Sequence, residues 1–182
     1  MKKISKLIAL IAMLALTLAC VTALAAKKWG QSNRKVENYN AWVEWVHDGD
    51  TITVFRPDKK EKNKIRFYAI DAPELAQTGG EDSKDYLRRL IPVKTVVRVE
   101  VQNIDRYGRQ VATVYRSGKN INQLMIAGGH AWHYKQYDKH FYEIYDMEER
   151  LARTKRIGLW QNPNPKAPWQ WRKEKREKSS SY

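Results

Sequence analysis

Two acidic tetrapeptides, Asp48-Gly49-Asp50-Thr51 and Asp71-Ala72-Pro73-Glu74, stand on either side of Arg66, and Asp105-Arg106-Tyr107-Gly108-Arg109 follows them. Carboxylates are hard oxygen ligands for a cation, a spare carboxylate can take a proton from water, and a guanidinium matches phosphate oxygens with a planar fork of donors. Together they equip a chain to cut a phosphodiester with a bound cation. Each piece alone has an ordinary reading. Asp-Gly is a common hairpin turn, and an arginine in mid-strand usually faces solvent. Glu74 could be a third metal ligand or a surface acid after a proline turn, and Arg109 part of a turn after Gly108.

Short strands must carry these residues. Trp42 to His47 and Thr51 to Phe55 read as strands around the Asp48-Gly49 turn, and Lys64 to Ile70 as a third, placing Arg66 in mid-strand and Asp71 just beyond its end. Thr95 to Val101 and Gln110 to Tyr115 make a fourth and fifth. Helical spacing predicts one helix over about Asp82 to Ile91, stopped by Pro92, and a second over Asn120 to Ala127, stopped by Gly128-Gly129. The third, over about Lys139 to Lys155, repeats Phe141, Ile144, Tyr145, Leu151 and Ala152 on one face. Five strands with helices inserted or appended leave several α+β arrangements open, a small closed barrel of the OB type among them. Leu75 to Gly80, with Gly79-Gly80, reads as a mobile loop beside Glu74.

In order and spacing, the motifs resemble the staphylococcal nuclease (thermonuclease) family from about Ala41 to Trp160, and Gly158-Leu159-Trp160 is also of the family's type. The resemblance selects the α+β fold: a five-stranded OB-type β-barrel with about three helices. It implies a hydrolase, a thermonuclease-like endonuclease on single-stranded or frayed DNA and RNA with little sugar specificity, leaving 3′-phosphate ends. It also implies that Asp50, Asp71 and the backbone carbonyl of Ala72 bind the metal, with waters completing the shell. The family often has threonine where Ala72 stands, and only the backbone oxygen is needed. Glu74 becomes the base that activates water, with Asp48 orienting the ligands from behind. Arg66 and Arg109 grip non-bridging phosphate oxygens and stabilise transition-state charge. Arg106, Tyr107, Trp132 and Tyr134 fall where family members hold the nucleotide. Trp132 and Tyr134 are expected either to stack on a base or to pack in the barrel, and Trp132 stands where a smaller side chain is expected.

Oxygen ligands without cysteine or histidine favour Ca²⁺ or Mg²⁺ over zinc, and a loose cage of two carboxylates, a carbonyl and waters suits Ca²⁺. Affinity should then be about 10⁻⁴ to 10⁻³ M, as in extracellular calcium modules. His130 and His133 lack the partners of a zinc site.

The N-terminus has Lys2, Lys3 and Lys6 before an apolar run from Leu7 to Ala26, with Ala23-Leu24-Ala25 in the small-x-small form of a cleavage site. It reads as a secretory signal over 1–25. An uncleaved membrane anchor and a lipid on Cys20 are the alternatives. Cleavage would remove 25 of 182 residues, including the only cysteine, and would leave 157 that need no disulfide. It takes three lysines and no acid from a net charge of +14, leaving +11 on an exported, secreted or periplasmic protein. Such a charge attracts polyanions, most simply nucleic acid, though anionic lipid and cell wall answer to the same charge. Residues 26–40 read as a linker, 41–161 as the nuclease-like domain and 162–182 as a Pro/Trp-rich basic tail. The tail is expected to be a solvated extension, or else a nucleic-acid contact through Trp169 and Trp171. The chain is expected to act as a monomer. From another class, the alternative is an exported OB-type module that binds nucleic acid or polyanion without cutting it.

Overall fold

Alternating apolar residues close the barrel. In a computed structural model that describes residues 37–180, β1 (Asn38–Val46) turns Tyr39, Ala41, Val43 and Val46 inward, and β2 (Thr51–Arg56) turns in Ile52 and Val54. Ile65 and Phe67 of β3 (Glu61–Phe67) complete one wall. Beyond β4 (Ile70–Asp71), β5 (Val96–Ile104) adds Val97, Val99 and Val101, and β6 (Gln110–Arg116) adds Ala112 and Val114. Neighbours pair antiparallel in the order β3-β2-β1-β5-β6. A parallel pairing of Ile65 to Phe67 with Gln110 to Ala112 then joins β3 to β6 and shuts the ring. Closure removes the free sheet edges, and register shifts after Val43 and Val101 help the long strands curve. The result is a five-stranded barrel of the OB type.

The short β7 (Lys119–Asn120) extends the sheet beside β6, and β8 (Trp132–His133) pairs with β4 in a separate ribbon. Among the described residues four helices accompany the barrel: α1 (Gly80–Leu90), α2 (Ile121–Ala127), α3 (Tyr142–Thr154) and α4 (Pro168–Ser179). Asn120 caps α2 by accepting the Gln123 N–H at 3.1 Å. Among the described residues no helix is long and apolar enough to cross a membrane. The expected signal, and all of the expected linker except its last residues, lie outside the described residues.

The elements depart from the sequence expectations at four places. β1 starts at Asn38 rather than Trp42, because Tyr39 and Ala41 are buried and Asn38 to Ala41 pair with β5. The third strand breaks after Phe67, where Ala69 takes a left-handed φ of 59° and sends the chain into β4. The third helix begins at Tyr142, since Asp138 Oδ1 accepts the His140 and Phe141 N–H groups just before it. On that helix Tyr145, Glu149 and Ala152 face inward, while Ile144 and Leu151 are exposed despite their spacing.

The fourth departure is the tail. Pro168 occupies the first turn of α4, where its fixed φ suits a helix and its missing N–H costs nothing. Trp169 packs with a small second core of Trp132, Ala152, Trp160 and Ala167. Gln77 Nε2 donates to the Lys166 carbonyl at 2.6 Å, fastening the segment before the helix to the loop after Glu74. Apolar anchoring of this kind is what a solvated extension lacks.

Candidate functional site

The Asp48 to Thr51 turn is held by Asp48 Oδ1, which accepts the Asp50 N–H at 2.9 Å, and by the Asp50 carbonyl, which accepts the Phe67 N–H at 2.8 Å. These bonds tie the start of β2 to the end of β3. Gly49 has no room for a side chain, because a Cβ there would lie 1.9 Å from Ser83 Oγ and 2.7 Å from Ala72 Cβ. Gly49→Ala should therefore lower stability by about 1–3 kcal/mol through overpacking, read as a lower urea midpoint. A midpoint equal to the parent's would show that α1 moves aside at no cost.

Register carries Asp50 and Arg66 together, since Thr51 pairs with Arg66 across β2 and β3. Asp71 follows on β4, opposite Trp132 of β8. Arg66 Nη1 lies 3.0 Å from Asp50 Oδ2 and Nη2 lies 2.8 Å from Asp71 Oδ1, so one guanidinium bridges both carboxylates. Nη1 also donates to the carbonyls of Phe67 at 3.2 Å and Ile70 at 2.9 Å. Asp50 Oδ2 accepts the Ala72 N–H at 2.7 Å, and Asp50 Oδ1 accepts the Thr51 hydroxyl at 3.0 Å.

Both aspartates are buried. Burial raises the Asp50 carboxyl well above the usual range, with Arg66 opposing the shift and Asp48 adding to it. Burial likewise raises Asp71, against the hydrogen bonds of Arg172 and the charge of Arg66. Burial that disfavours the charged form of two neighbouring carboxyls is a condition that a bound cation relieves. Among the described residues no group of three or more histidine, cysteine, aspartate or glutamate side chains converges, so any metal here would rest on two carboxylates and non-side-chain oxygens. That oxygen-only set fits a hard cation.

Glu74 is part-exposed and follows Asp71 through Ala72-Pro73. The residues after it form successive turns, with Gln77 N–H on the Glu74 carbonyl at 2.8 Å and Gly80 N–H on the Gln77 carbonyl at 2.9 Å. Tied to Lys166 as well, this segment is an anchored pair of turns in place of the expected mobile loop.

Arg109 sits at the foot of β6, in a loop organised by Asp105. The Asp105 carboxylate accepts the N–H groups of Tyr107 and Arg109 at 2.9 Å and the Arg109 Nε at 2.7 Å. Gly108 closes the loop at a φ of 79°, a conformation that favours glycine. The structure therefore joins Arg66 to the carboxylates and holds Arg109 on Asp105. Tyr107 is exposed between the guanidinium groups of Arg106 and Arg109, 4.8 Å and 5.6 Å from its ring.

For Trp132 packing is the role observed. It is 3% exposed, with its ring edge-on to Trp160 at 5.0 Å, and bulk at this position fills the second core. Tyr134 keeps a stacking role, but its partner is within the chain: Trp169 lies parallel to it at 5.4 Å and 7°. His133 is spent on Asp138 at 2.8 Å, and His130 stacks on Tyr86 at 4.1 Å.

One residue of the site was not found in the sequence. Arg172 of α4 donates through Nη1 to Glu74 Oε1 at 2.8 Å and through Nη2 to Asp71 Oδ2 at 2.7 Å, with Nη1 also 3.2 Å from Asp71 Oδ1. In the sequence it falls inside the Pro/Trp-rich basic tail. The available signal was Pro168 as a helix start with Trp169 and Arg172 three apart, which puts an aromatic and a guanidinium on one helical face.

A closed five-stranded barrel with two buried carboxylates bridged by an arginine at the end of β3 places the molecule among OB-type barrels with an acidic, arginine-linked site. The family described as staphylococcal nuclease homologue matches residues 64–162, and the chain belongs to that family. An uncharacterized endonuclease of Escherichia coli O157:H7 is 40% identical over 131 residues, covering 71% of this chain and 82% of that protein. Another from Haemophilus influenzae is 41% identical over 131 residues, covering 72% and 71%. A staphylococcal-like nuclease of Arabidopsis thaliana is 42% identical over 116 residues, 64% of this chain but only 35% of its own length. The chain thus spans about a third of the plant relatives that it matches.

Proposed function

We propose that the protein is a calcium-dependent endonuclease that hydrolyses phosphodiesters in single-stranded DNA and RNA, exported by its N-terminal segment to the envelope or medium. One observation carries the reading: Arg66 draws together Asp50, just before β2, and Asp71, on β4, while Glu74, three residues on, reaches the same guanidinium of Arg172 as Asp71 does. A module that only holds phosphate needs no convergent carboxylates in its groove. Membership of the family and the endonuclease names of its bacterial relatives support the same reading.

Asp50, Asp71 and the Ala72 carbonyl would hold Ca²⁺, which when bound neutralises charge on the phosphate and acidifies a neighbouring water. Glu74 takes a proton from water as its oxygen attacks phosphorus. The bond to the 5′-oxygen breaks and the phosphate stays on the 3′ side. Arg66, fixed by carboxylates and carbonyls, and Arg109, fixed by Asp105, present positive charge to the non-bridging oxygens. Tyr107 and Tyr134 flank this centre as contacts for sugar and base, which makes recognition indifferent to sequence.

Cleavage of labelled single-stranded DNA should require Ca²⁺, with Mg²⁺ supporting much less, because the smaller ion demands a tighter octahedral cage. Assay in calcium, magnesium and excess chelator tests this. Full activity in chelator would remove the metal from the account.

A further inference from the structure

Arg172 and Trp169 lie one helical turn apart on α4 and meet two different parts of the proposed centre. Arg172 covers Asp71 and Glu74 with a forked contact, and Trp169 covers the face of Tyr134. The ribbon of β4 and β8 brings those targets together, since Tyr134 follows directly on β8 and its N–H binds the Ala69 carbonyl just before β4 at 2.8 Å. The geometry points to α4 as a built-in occupant of the active site: Arg172 stands in for the cation and Trp169 for a nucleotide base. The helix must leave before metal and polynucleotide can bind.

This rests on the reading of Asp71 and Glu74 as metal ligand and base. Asp71 is the decisive residue, because its carboxylate is almost fully buried and already accepts three hydrogen bonds from two guanidinium groups. Oδ1 accepts from Arg66 and Arg172, and Oδ2 accepts from Arg172. A calcium ion must sit about 2.3–2.6 Å from such an oxygen, inside the space of the guanidinium and against its charge. Calcium and Arg172 therefore compete for Asp71. Likewise a base cannot stack on the side of Tyr134 that Trp169 covers. The remaining attachments, Gln77 to the Lys166 carbonyl and the packing of Ala167, lie just before the helix. They can act as a hinge from which the basic stretch beyond swings away.

Displacement of an internal competitor sets the expected effects. Calorimetric titration of calcium into Arg172→Ala should give a dissociation constant lower than the parent's by about tenfold or more, because the parent spends binding free energy on freeing Asp71. In the parent, hydrogen exchange over residues 168–179 should speed up when calcium is added. Trp169→Ala, which leaves Arg172 in place, should tighten single-stranded DNA binding and raise the same exchange rates without calcium. Asp71→Asn separates the two readings: loss of its calcium binding supports the metal site whatever Arg172 does. Equal calcium affinity in parent and Arg172→Ala, with exchange in α4 unchanged by calcium, would overturn the occupant role while the metal site stands. Absence of calcium binding in both proteins would overturn both.

Discussion

Arg66→Ala should cost about 3–5 kcal/mol of stability, the usual consequence of removing one partner from a buried ion pair. The side chain is mostly buried and bridges two carboxylates that have little water of their own. Without it, Asp50 and Asp71 face each other with Arg172 as the nearest compensation, and that residue touches only Asp71 and Glu74. The pH dependence has a definite sign. Both carboxyls already sit above their ordinary values through burial, so the folded state binds protons more readily than the unfolded one. Stability from this source is present below the unfolded carboxylate range and is lost as pH rises through the raised folded values. Losing Arg66 raises those values further, so the deficit should be greatest at neutral pH and shrink on acidification. Urea midpoints at several pH values check this, and saturating calcium should restore part of the loss by mass action. A variant as stable as the parent at neutral pH would mean that the carboxylates are not held by Arg66. Cleavage should fall as well, by about 10² to 10³, the worth of one well-placed charge donor.

Glu74→Gln should lower the single-turnover rate by about 10² to 10⁴, the range for general acid-base catalysis. Glutamine keeps the shape and one acceptor for Arg172 but cannot take the proton from water. Affinity for single-stranded DNA should hardly change, because Asp50, Asp71, Arg66 and Arg109 remain. A loss confined to rate marks an interaction made in the transition state, whereas the arginine variants should lose rate and grip together. A Glu74→Gln enzyme as fast as the parent would take the base role away from this residue.

The barrel was legible where apolar alternation is strict. Ile52 and Val54, Ile65 and Phe67, and Val97 to Val101 mark strands on their own evidence, and Pro92 and Gly128 stop helices where expected. Its closure was not legible, because the parallel contact of β3 with β6 joins segments that no local pattern relates. Fold identity therefore came from the motifs. The site divides in the same way. Asp50, Arg66, Asp71 and Glu74 stand out by type and spacing; strand register carries Asp50 to Arg66, and the ion pair with Arg66 brings in Asp71. Trp132 could not be placed, since an aromatic near a binding motif packs or stacks according to neighbours such as Trp160 that lie far along the chain. Arg172 was hidden for a related reason. Its helix shows weak amphipathicity and many charges, and only the long-range contacts of Trp169 and Arg172 show which face docks.

The most direct test follows one labelled single strand through binding and a single turnover with excess parent protein in calcium. Strand bound by the protein should be cut at internal phosphodiesters, leaving 3′-phosphate ends, and excess chelator should stop the cutting. Tight binding in calcium with the strand left whole would contradict this, and the barrel would then be a polyanion-binding module.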